Sequence, residues 1–321
     1  MAVKPVRTIT LHDIKEGMND SNSGKIDVVD IGVPKDAERF AGPGEYVYYP
    51  VPRSDSHKGD NGFVLIIGGG PYTGAPSLAA MGAYRIGADL VHIATPEQSF
   101  LTISSYSPNF IVHRMPGSVF TDNNMDQVLG LTGLVDAVLI GSGIGRDPRS
   151  QEAIRDFVKE CCKPMVIDAD AFSALSVDPN LLKGKKGIVT PHSREFLTLF
   201  GKALPKELEE RAETVKEAAL HFGMTVLVKG MIDVISDGKR IKYNRTGNPG
   251  MTVGGTGDVL AGICVGLLAK GVEPFDAARM AAYTNGSAGD LAFTEKSYGL
   301  LATDVIDNIP SVMCRTFDKF K

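Results

Sequence analysis

The sequence predicts an α/β fold with a largely parallel central sheet and helices on its faces. From about Val64 onward, short β-branched runs alternate with longer stretches of helical period, the pattern of repeated βαβ units. The runs are apolar throughout, as strands buried on both faces are. Glycine-rich segments follow several of them, where strand-to-helix turns belong.

Taken in order, the predicted strands are 63–67 (Phe-Val-Leu-Ile-Ile), 90–94, 110–114, 137–140 (Ala-Val-Leu-Ile), 165–168, 188–190 and 226–228. Two further runs, 234–236 and 240–243, flank Asp237-Gly238, a dipeptide that favours a hairpin, so a small antiparallel element interrupts the alternation. Helices are predicted over 75–86, 150–162, 193–200, 206–222, 258–270 and 275–293, with a closing helix over 300–315. Leu208, Ala212, Val215, Ala219 and Phe222 recur at helical spacing with charges between them, which marks an amphipathic surface helix.

The chain has 321 residues, of which 43% are hydrophobic and 22% charged, enough apolar material for a sizeable core. Residues 1–46 differ in being polar, with Val28-Val29-Asp30-Ile31-Gly32 as their one apolar run. They are read as an N-terminal arm ahead of a single domain over 47–321. Thirty-four Lys and Arg against 38 Asp and Glu give a net charge of −4, no field for tracking a nucleic-acid backbone. The four cysteines form neither a disulfide framework nor a zinc motif, which suits a reducing, cytoplasmic setting. No apolar run approaches membrane-spanning length, and the first residues do not read as a secretory signal. No nucleic-acid or membrane partner is therefore expected.

Several loops could carry chemistry. Gly68-Gly69-Gly70-Pro71-Tyr72-Thr73-Gly74-Ala75 matches neither a Walker A loop nor a dinucleotide fingerprint, so a tight turn and close approach to a ligand are equally open. Gly141-Ser142-Gly143-Ile144-Gly145 follows another strand, and two such loops at strand carboxyl ends suggest a shared cleft. Asp147 is a candidate helix cap. Asp168 and Asp170 could position a metal-bound water or a substrate hydroxyl, although capping is the favoured role for Asp170. His192, after Thr190-Pro191, is either a ligand contact or a helix-entry residue.

The strongest element is Asn248-Pro249-Gly250-Met251-Thr252-Val253-Gly254-Gly255-Thr256-Gly257-Asp258, which runs into an apolar helix. Its glycines free successive N–H groups to converge at the positive end of the helix dipole, an anion hole. A carboxylate at the rim would repel a bound phosphate. Asp258 makes sense there as the base for a hydroxyl that attacks a phosphoryl group held in the hole, in preference to a simple cap.

At this loop the chain resembles the ribokinase superfamily. The longer string resembles the ADP/ATP-dependent NAD(P)H-hydrate dehydratases, together with His57-Lys58-Gly59, Gly68-Gly69-Gly70, Gly141-Ser142-Gly143, Asp168-Ala169-Asp170-Ala171, Thr190-Pro191-His192 with Glu195-Phe196, and Lys229-Gly230. The resemblance covers residues 58–270 and implies a ribokinase-like three-layer sandwich. It further implies that Ala75, Gly143, His192 and Asp258 contact the hydrated nicotinamide nucleotide. Lys229, Gly230, Met231, Ile232 and Asp233, with Gly254, Gly255, Thr256 and Gly257, would hold the phosphoryl donor, ADP or ATP with Mg²⁺. Three departures stand out: Ser193-Arg194 where the family commonly has Pro-Gly, Ser173 where it has Asn, and Ile232-Asp233 where it often has His-Thr. Asp233 beside donor phosphates would be unfavourable unless it points away or meets Mg²⁺. In the arm, Val29-Asp30-Ile31-Gly32-Val33-Pro34 resembles the closing strand of the hydrate-epimerase domain that precedes this one in bifunctional members, which implies functional pairing with an epimerase.

The activity implied is dehydration of the S-hydrates of NADH and NADPH: phosphorylation turns the ring hydroxyl into a leaving group, and the ring nitrogen expels it. The rivals are a kinase of a vitamin precursor or sugar on the same fold and a non-catalytic nucleotide sensor, against which an intact Asp258 argues. Family members form symmetric assemblies. The apolar residues Leu300, Leu301, Val305, Ile306 and Ile309 could supply a self-complementary surface, so a homo-oligomer, a tetramer, is expected.

Overall fold

The computed structural model describes residues 4–15 and 17–320, which divide after Phe40 into two units. The first holds β1 (Arg7–Leu11), α1 (Asp20–Ser23), β2 (Lys25–Val29) and α2 (Lys35–Arg39). β1 and β2 pair in parallel, from Arg7 opposite Lys25 to Leu11 opposite Val29. The Asn19 side chain caps α1 by accepting from the N–H groups of Ser21 and Asn22. β2 stops at Val29 because Asp30 Oδ1 accepts from the Gly32 amide at 2.8 Å and turns the chain, so the run expected to form a closing strand lies mostly beyond it.

The second unit begins with a short 3₁₀ turn, Pro43–Tyr48, whose Tyr46 hydroxyl lies 2.7 Å from Thr284 Oγ1 and whose buried Glu45 pairs with Arg279 and Lys242. There follow β3 (Phe63–Ile67), α3 (Gly74–Arg85), β4 (Leu90–Pro96), α4 (Glu97–Tyr106), β5 (Ile111–Met115), α5 (Met125–Thr132), β6 (Ala137–Ile140), α6 (Pro148–Glu160), β7 (Met165–Ile167), α7 (Asp170–Leu175), β8 (Gly187–Val189), α8 (Ser193–Phe200), α9 (Leu208–Phe222), β9 (Thr225–Val228), β10 (Asp233–Ser236), β11 (Ile241–Asn244), α10 (Thr256–Ala269), α11 (Pro274–Lys296) and α12 (Ala302–Phe317). Every strand expected from residue 63 onward is present, including the hairpin around Asp237-Gly238. Helices α4, α5 and α7 were not expected. α4 carries Ser99, Thr102, Ser104 and Ser105, which weaken its helical signal.

The sheet order is β11-β10-β9-β8-β7-β6-β3-β4-β5, parallel except for β10, which runs antiparallel to both neighbours. Helices α3, α10, α11 and α12 pack on one another in one layer; α5 to α9 contact one another or the sheet in a second. The result is the expected three-layer α/β sandwich. From β3 the chain winds outward through β4 and β5, then returns beside β3 as β6 and winds the other way. The reversal leaves a crevice at the carboxyl ends of β3 and β6.

α10 is buried along its whole length from Val259 to Ala269, so it is apolar all round, with its polar N-terminus aimed at that end of the sheet. The closing helix corrects one expectation. Leu300, Val305, Ile306 and Ile309 are buried in the chain's own core and only Leu301 is exposed, so these side chains supply no self-complementary surface. No helix among the described residues is long and apolar enough to cross a membrane.

Candidate active site

At the carboxyl ends of β7, β8 and β9 three polar side chains meet. Asp168, 2% exposed just past β7, accepts from Thr190 Oγ1 at 2.8 Å and from Lys229 Nζ at 3.0 Å. A second carboxylate, Glu195 Oε2, lies 3.7 Å from the same ammonium. Burial works against the Lys229 charge, but Asp168 and Glu195 outweigh it and hold the amine above its usual range. Lys229 is thus no solvated strand end. It is a fixed cation, placed by the parallel bridge between His192 and Lys229 that extends β8 alongside β9.

Across from this cation stands the N-terminus of α10. Gly255 has φ +99°, and a Cβ there would stand 2.5 Å from Leu78 Cδ1, so only glycine fits. Gly254 faces open space, and Lys229 Nζ lies 3.4 Å from where a Cβ on Gly257 would be. The Thr256 hydroxyl donates to the carbonyls of Met251 and Val253 at 2.9 and 3.3 Å, so it braces the approach loop. Asp258 is the third residue of α10. Among the described residues its carboxylate accepts no backbone amide, which separates it from a helix cap. Burial, followed by the field of Asp168, pushes its pKa up to about 7, against the weaker pull of the Ser142 hydroxyl and Lys229. A carboxyl group that exchanges its proton near neutrality, beside an open glycine turn and a fixed cation, can deprotonate a hydroxyl.

The other expected residues group around this centre. Ala75 and Gly143 are neighbours: a Cβ on Gly143 would stand 3.3 Å from Ala75 Cβ. His192 is the N-cap of α8. Its Nδ1 accepts from the amides of Arg194 and Glu195 at 3.1 and 3.2 Å, while Glu195 Oε2 accepts from the His192 amide at 2.9 Å. With Nδ1 an acceptor, the ring proton belongs on Nε2. Gly230, Met231 and Ile232 form the turn between β9 and β10, with Met231 93% exposed. Asp233 is held within its own turn: its carboxylate accepts from the Gly230 amide and from Asn244 Nδ2, both at 2.9 Å, and burial pushes its pKa up to about 6 against those bonds.

Two expectations about loops are decided here. Asp147 caps α6, accepting from the Arg149 amide. Asp170 does not act as the cap of α7; that position is Ala169, with φ +52°, and the Asp170 carboxylate instead accepts from the Gly145 amide at 2.8 Å, tying the second glycine loop to α7. Sequence reading missed the Asp168–Lys229–Glu195 cluster as a unit, since its members lie 27 to 61 positions apart and no local pattern links them.

A cavity of about 290 Å³ opens beside His192 and Asp170, with Arg146 and Arg194 on its walls. Two larger ones, of about 500 and 470 Å³, are lined by residues such as Gly187, Thr225 and Asn61, at or before the starts of strands, the end of the sheet away from the crevice.

Comparison with known proteins identifies the family of the chain. A family model described as NAD(P)H-hydrate dehydratase matches residues 64–311. A bifunctional NAD(P)H-hydrate repair enzyme of Methanothermobacter thermautotrophicus is 42% identical over 98% of this chain, which spans 62% of that relative's length. An ADP-dependent (S)-NAD(P)H-hydrate dehydratase of Cenarchaeum symbiosum is 40% identical over 85% of this chain and 96% of its own. Among solved structures, the ADP/ATP-dependent NAD(P)H-hydrate dehydratase of Bacillus subtilis, co-crystallised with ATP and Mg²⁺, superposes with a TM-score of 0.73 at 28% identity, covering 89% of this chain and 99% of that one.

Proposed function

The chain belongs to the NAD(P)H-hydrate dehydratase family, and from that premise we propose that it dehydrates the S-hydrates of NADH and NADPH at the expense of a nucleotide phosphoryl donor. The observation that carries this reading is Asp258, a carboxyl group with a pKa of about 7 at the mouth of the Gly254–Gly257 turn. The kinase alternative has no observation of its own in the site.

In this reading the donor's phosphates lie against the open Gly254 and Gly257 amides at the positive end of α10, with Lys229 opposite and Gly230 to Asp233 beneath the nucleotide. Asp258 takes the proton of the substrate's ring hydroxyl as its oxygen attacks the donor's terminal phosphorus, and the shortened nucleotide leaves. The ring nitrogen's electron pair then expels inorganic phosphate, and loss of the proton on the neighbouring ring carbon restores the dihydronicotinamide. Ala75, Gly143 and His192 position the substrate, His192 through its Nε2 proton. Among the described residues no group of three or more His, Cys, Asp and Glu side chains could cage a metal. Mg²⁺ would enter as an ion carried on the donor phosphates and would neutralise charge on the transferring group.

ADP is the proposed donor, by analogy with the archaeal relative so named. The bifunctional relatives support pairing with a hydrate epimerase, to which residues 1–46 would belong as a tail preceding the 47–321 domain. A cytoplasmic homo-oligomer, a tetramer, completes the reading, with contacts other than the closing helix. The test is incubation with each S-hydrate, Mg²⁺ and ADP or ATP. Near-ultraviolet absorbance and inorganic phosphate should rise in equal amounts; phosphorylation of a vitamin precursor or sugar without recovery of absorbance would replace the dehydratase by a kinase.

A further inference from the structure

The cavity beside His192 is not accounted for by the chemistry at Asp258. It is bounded by the turn after β6, the start of α7 and the start of α8, and is lined by Arg146, Asp170, Ser173, His192, Arg194 and Glu195 among others. Its carboxylates are already engaged: Asp170 holds the Gly145 amide, and Glu195 holds the His192 amide and faces Lys229. Its guanidinium groups are less so. The nearest acid to Arg146 is Asp170, at 4.0 Å, and the exposed Arg194 side chain makes no ion pair or hydrogen bond among the described residues. Two cations with spare donors thus overhang a polar cavity that also offers the Ser173 hydroxyl, while His192 Nε2 lies 3.6 Å from Glu195 Oε1.

A guanidinium without a partner beside a substrate cleft is suited to a phosphate, which it can grip with two parallel N–H···O bonds. We propose that Arg146 and Arg194 bind a phosphate group of the dinucleotide substrate and so fix its half remote from the reacting ring. The proposal rests on the dehydratase reading only in naming that substrate. The phosphate has two possible sources, the pyrophosphate bridge common to both hydrates and the 2′-phosphate carried by NADPH and its hydrate alone.

Calorimetric titration with the stable products NADH and NADPH tests this without turnover. In Arg146→Ala/Arg194→Ala the Kd should rise about tenfold or more, with the single variants intermediate, while the Kd for ADP stays within about twofold. Equal losses for both dinucleotides would assign the arginines to the pyrophosphate; a loss for NADPH alone would assign them to the 2′-phosphate and make them the determinants of cofactor preference. Arg194→Lys should recover only part of the affinity, since an ammonium keeps the charge without the fork. Unchanged affinity in the double variant, or no binding of either dinucleotide by the unaltered protein, overturns the proposal. The two readings fail separately: hydrate repair with unchanged dinucleotide binding removes only the arginine site, whereas arginine-dependent binding without repair removes only the dehydratase.

Discussion

The glycine-rich turns at the switch point and the one at the start of α10 serve opposite ends. At the switch point, the amides of Gly68 and Gly69 donate to the carbonyls of Ala94 and Ser142, and a Cβ on Gly141 would overlap the Asp168 carbonyl oxygen. Those glycines let backbone meet backbone, and their donors are spent within the chain. At the start of α10 a Cβ on Gly254 would meet nothing within 4 Å, and the facing side chains are a fixed cation and an acid with a raised pKa. The difference teaches that the use of a glycine loop is decided by whether its donors and its space are already filled, which glycine count does not reveal.

The largest expected effect breaks the second junction chemically. Asp258→Asn should lower turnover by about a hundredfold or more, the low end for loss of a general base, with donor affinity retained. Recovery of absorbance and release of phosphate should fall together, because elimination cannot begin before phosphoryl transfer. Turnover near that of the unaltered protein would remove Asp258 from the mechanism.

Paired glycine substitutions probe the comparison directly. Gly141→Ala forces a Cβ onto a carbonyl at φ +124° and should cost about 3 kcal/mol or more in urea unfolding, or leave the protein insoluble. Gly254→Ala should leave stability within about 0.5 kcal/mol yet weaken ADP binding about tenfold, because its methyl group would enter the space assigned to phosphate. Equal effects of the two changes on unfolding would mean that both loops are structural.

Lys229→Ala joins the two kinds of effect. It strips the cation from a carboxylate that is 2% exposed and should destabilise the fold by about 2–4 kcal/mol, besides weakening the donor. Lys229→Met separates these roles poorly. Lys229→Ala combined with Asp168→Asn separates them better, since the double variant should regain much of the stability but none of the donor affinity, as denaturation and ADP titration would show.

How much of this was legible follows from the same distinction. The parallel strands announced themselves because, buried on both faces, they are unbroken runs such as Val64 to Ile67 and Val138 to Ile140. Asp258 was legible because its helix, its glycines and its charge are contiguous in sequence. The strands β1 and β2 were not: in Arg-Thr-Ile-Thr-Leu three of five residues are polar and only the last four alternate, so it reads as a polar arm. Nor was the role of Asp170, whose partner Gly145 lies 25 positions earlier and is reached only because β6 and β7 are neighbours. Whatever depends on which strands lie side by side was hidden, and that includes the burial and the Asp168 charge that raise the pKa of Asp258.

The smallest expected effect concerns what the open junction costs the fold. The Asp258 carboxyl has a pKa near 7 in the folded chain and 3.8 when unfolded, so folding favours its protonated form. That contribution is fully present below about pH 3.8 and is lost as pH rises through 7, beyond which the native state holds an ionised carboxylate facing Asp168. Asp258→Asn cannot ionise. Its Tm should therefore gain on that of the unaltered protein between pH 5 and pH 8, by about 1–2 kcal/mol once the partial exposure of the group is allowed for, or a few degrees. The same carboxylate gives catalysis its pH dependence: kcat/KM should rise with pH and level off above about 7 as the base form fills. At the structural junction the sign reverses, because Asp170 is already bonded to the Gly145 amide and Asp170→Asn should lower Tm slightly. A stability gain in Asp258→Asn that does not depend on pH would place the cost in shape and not in charge.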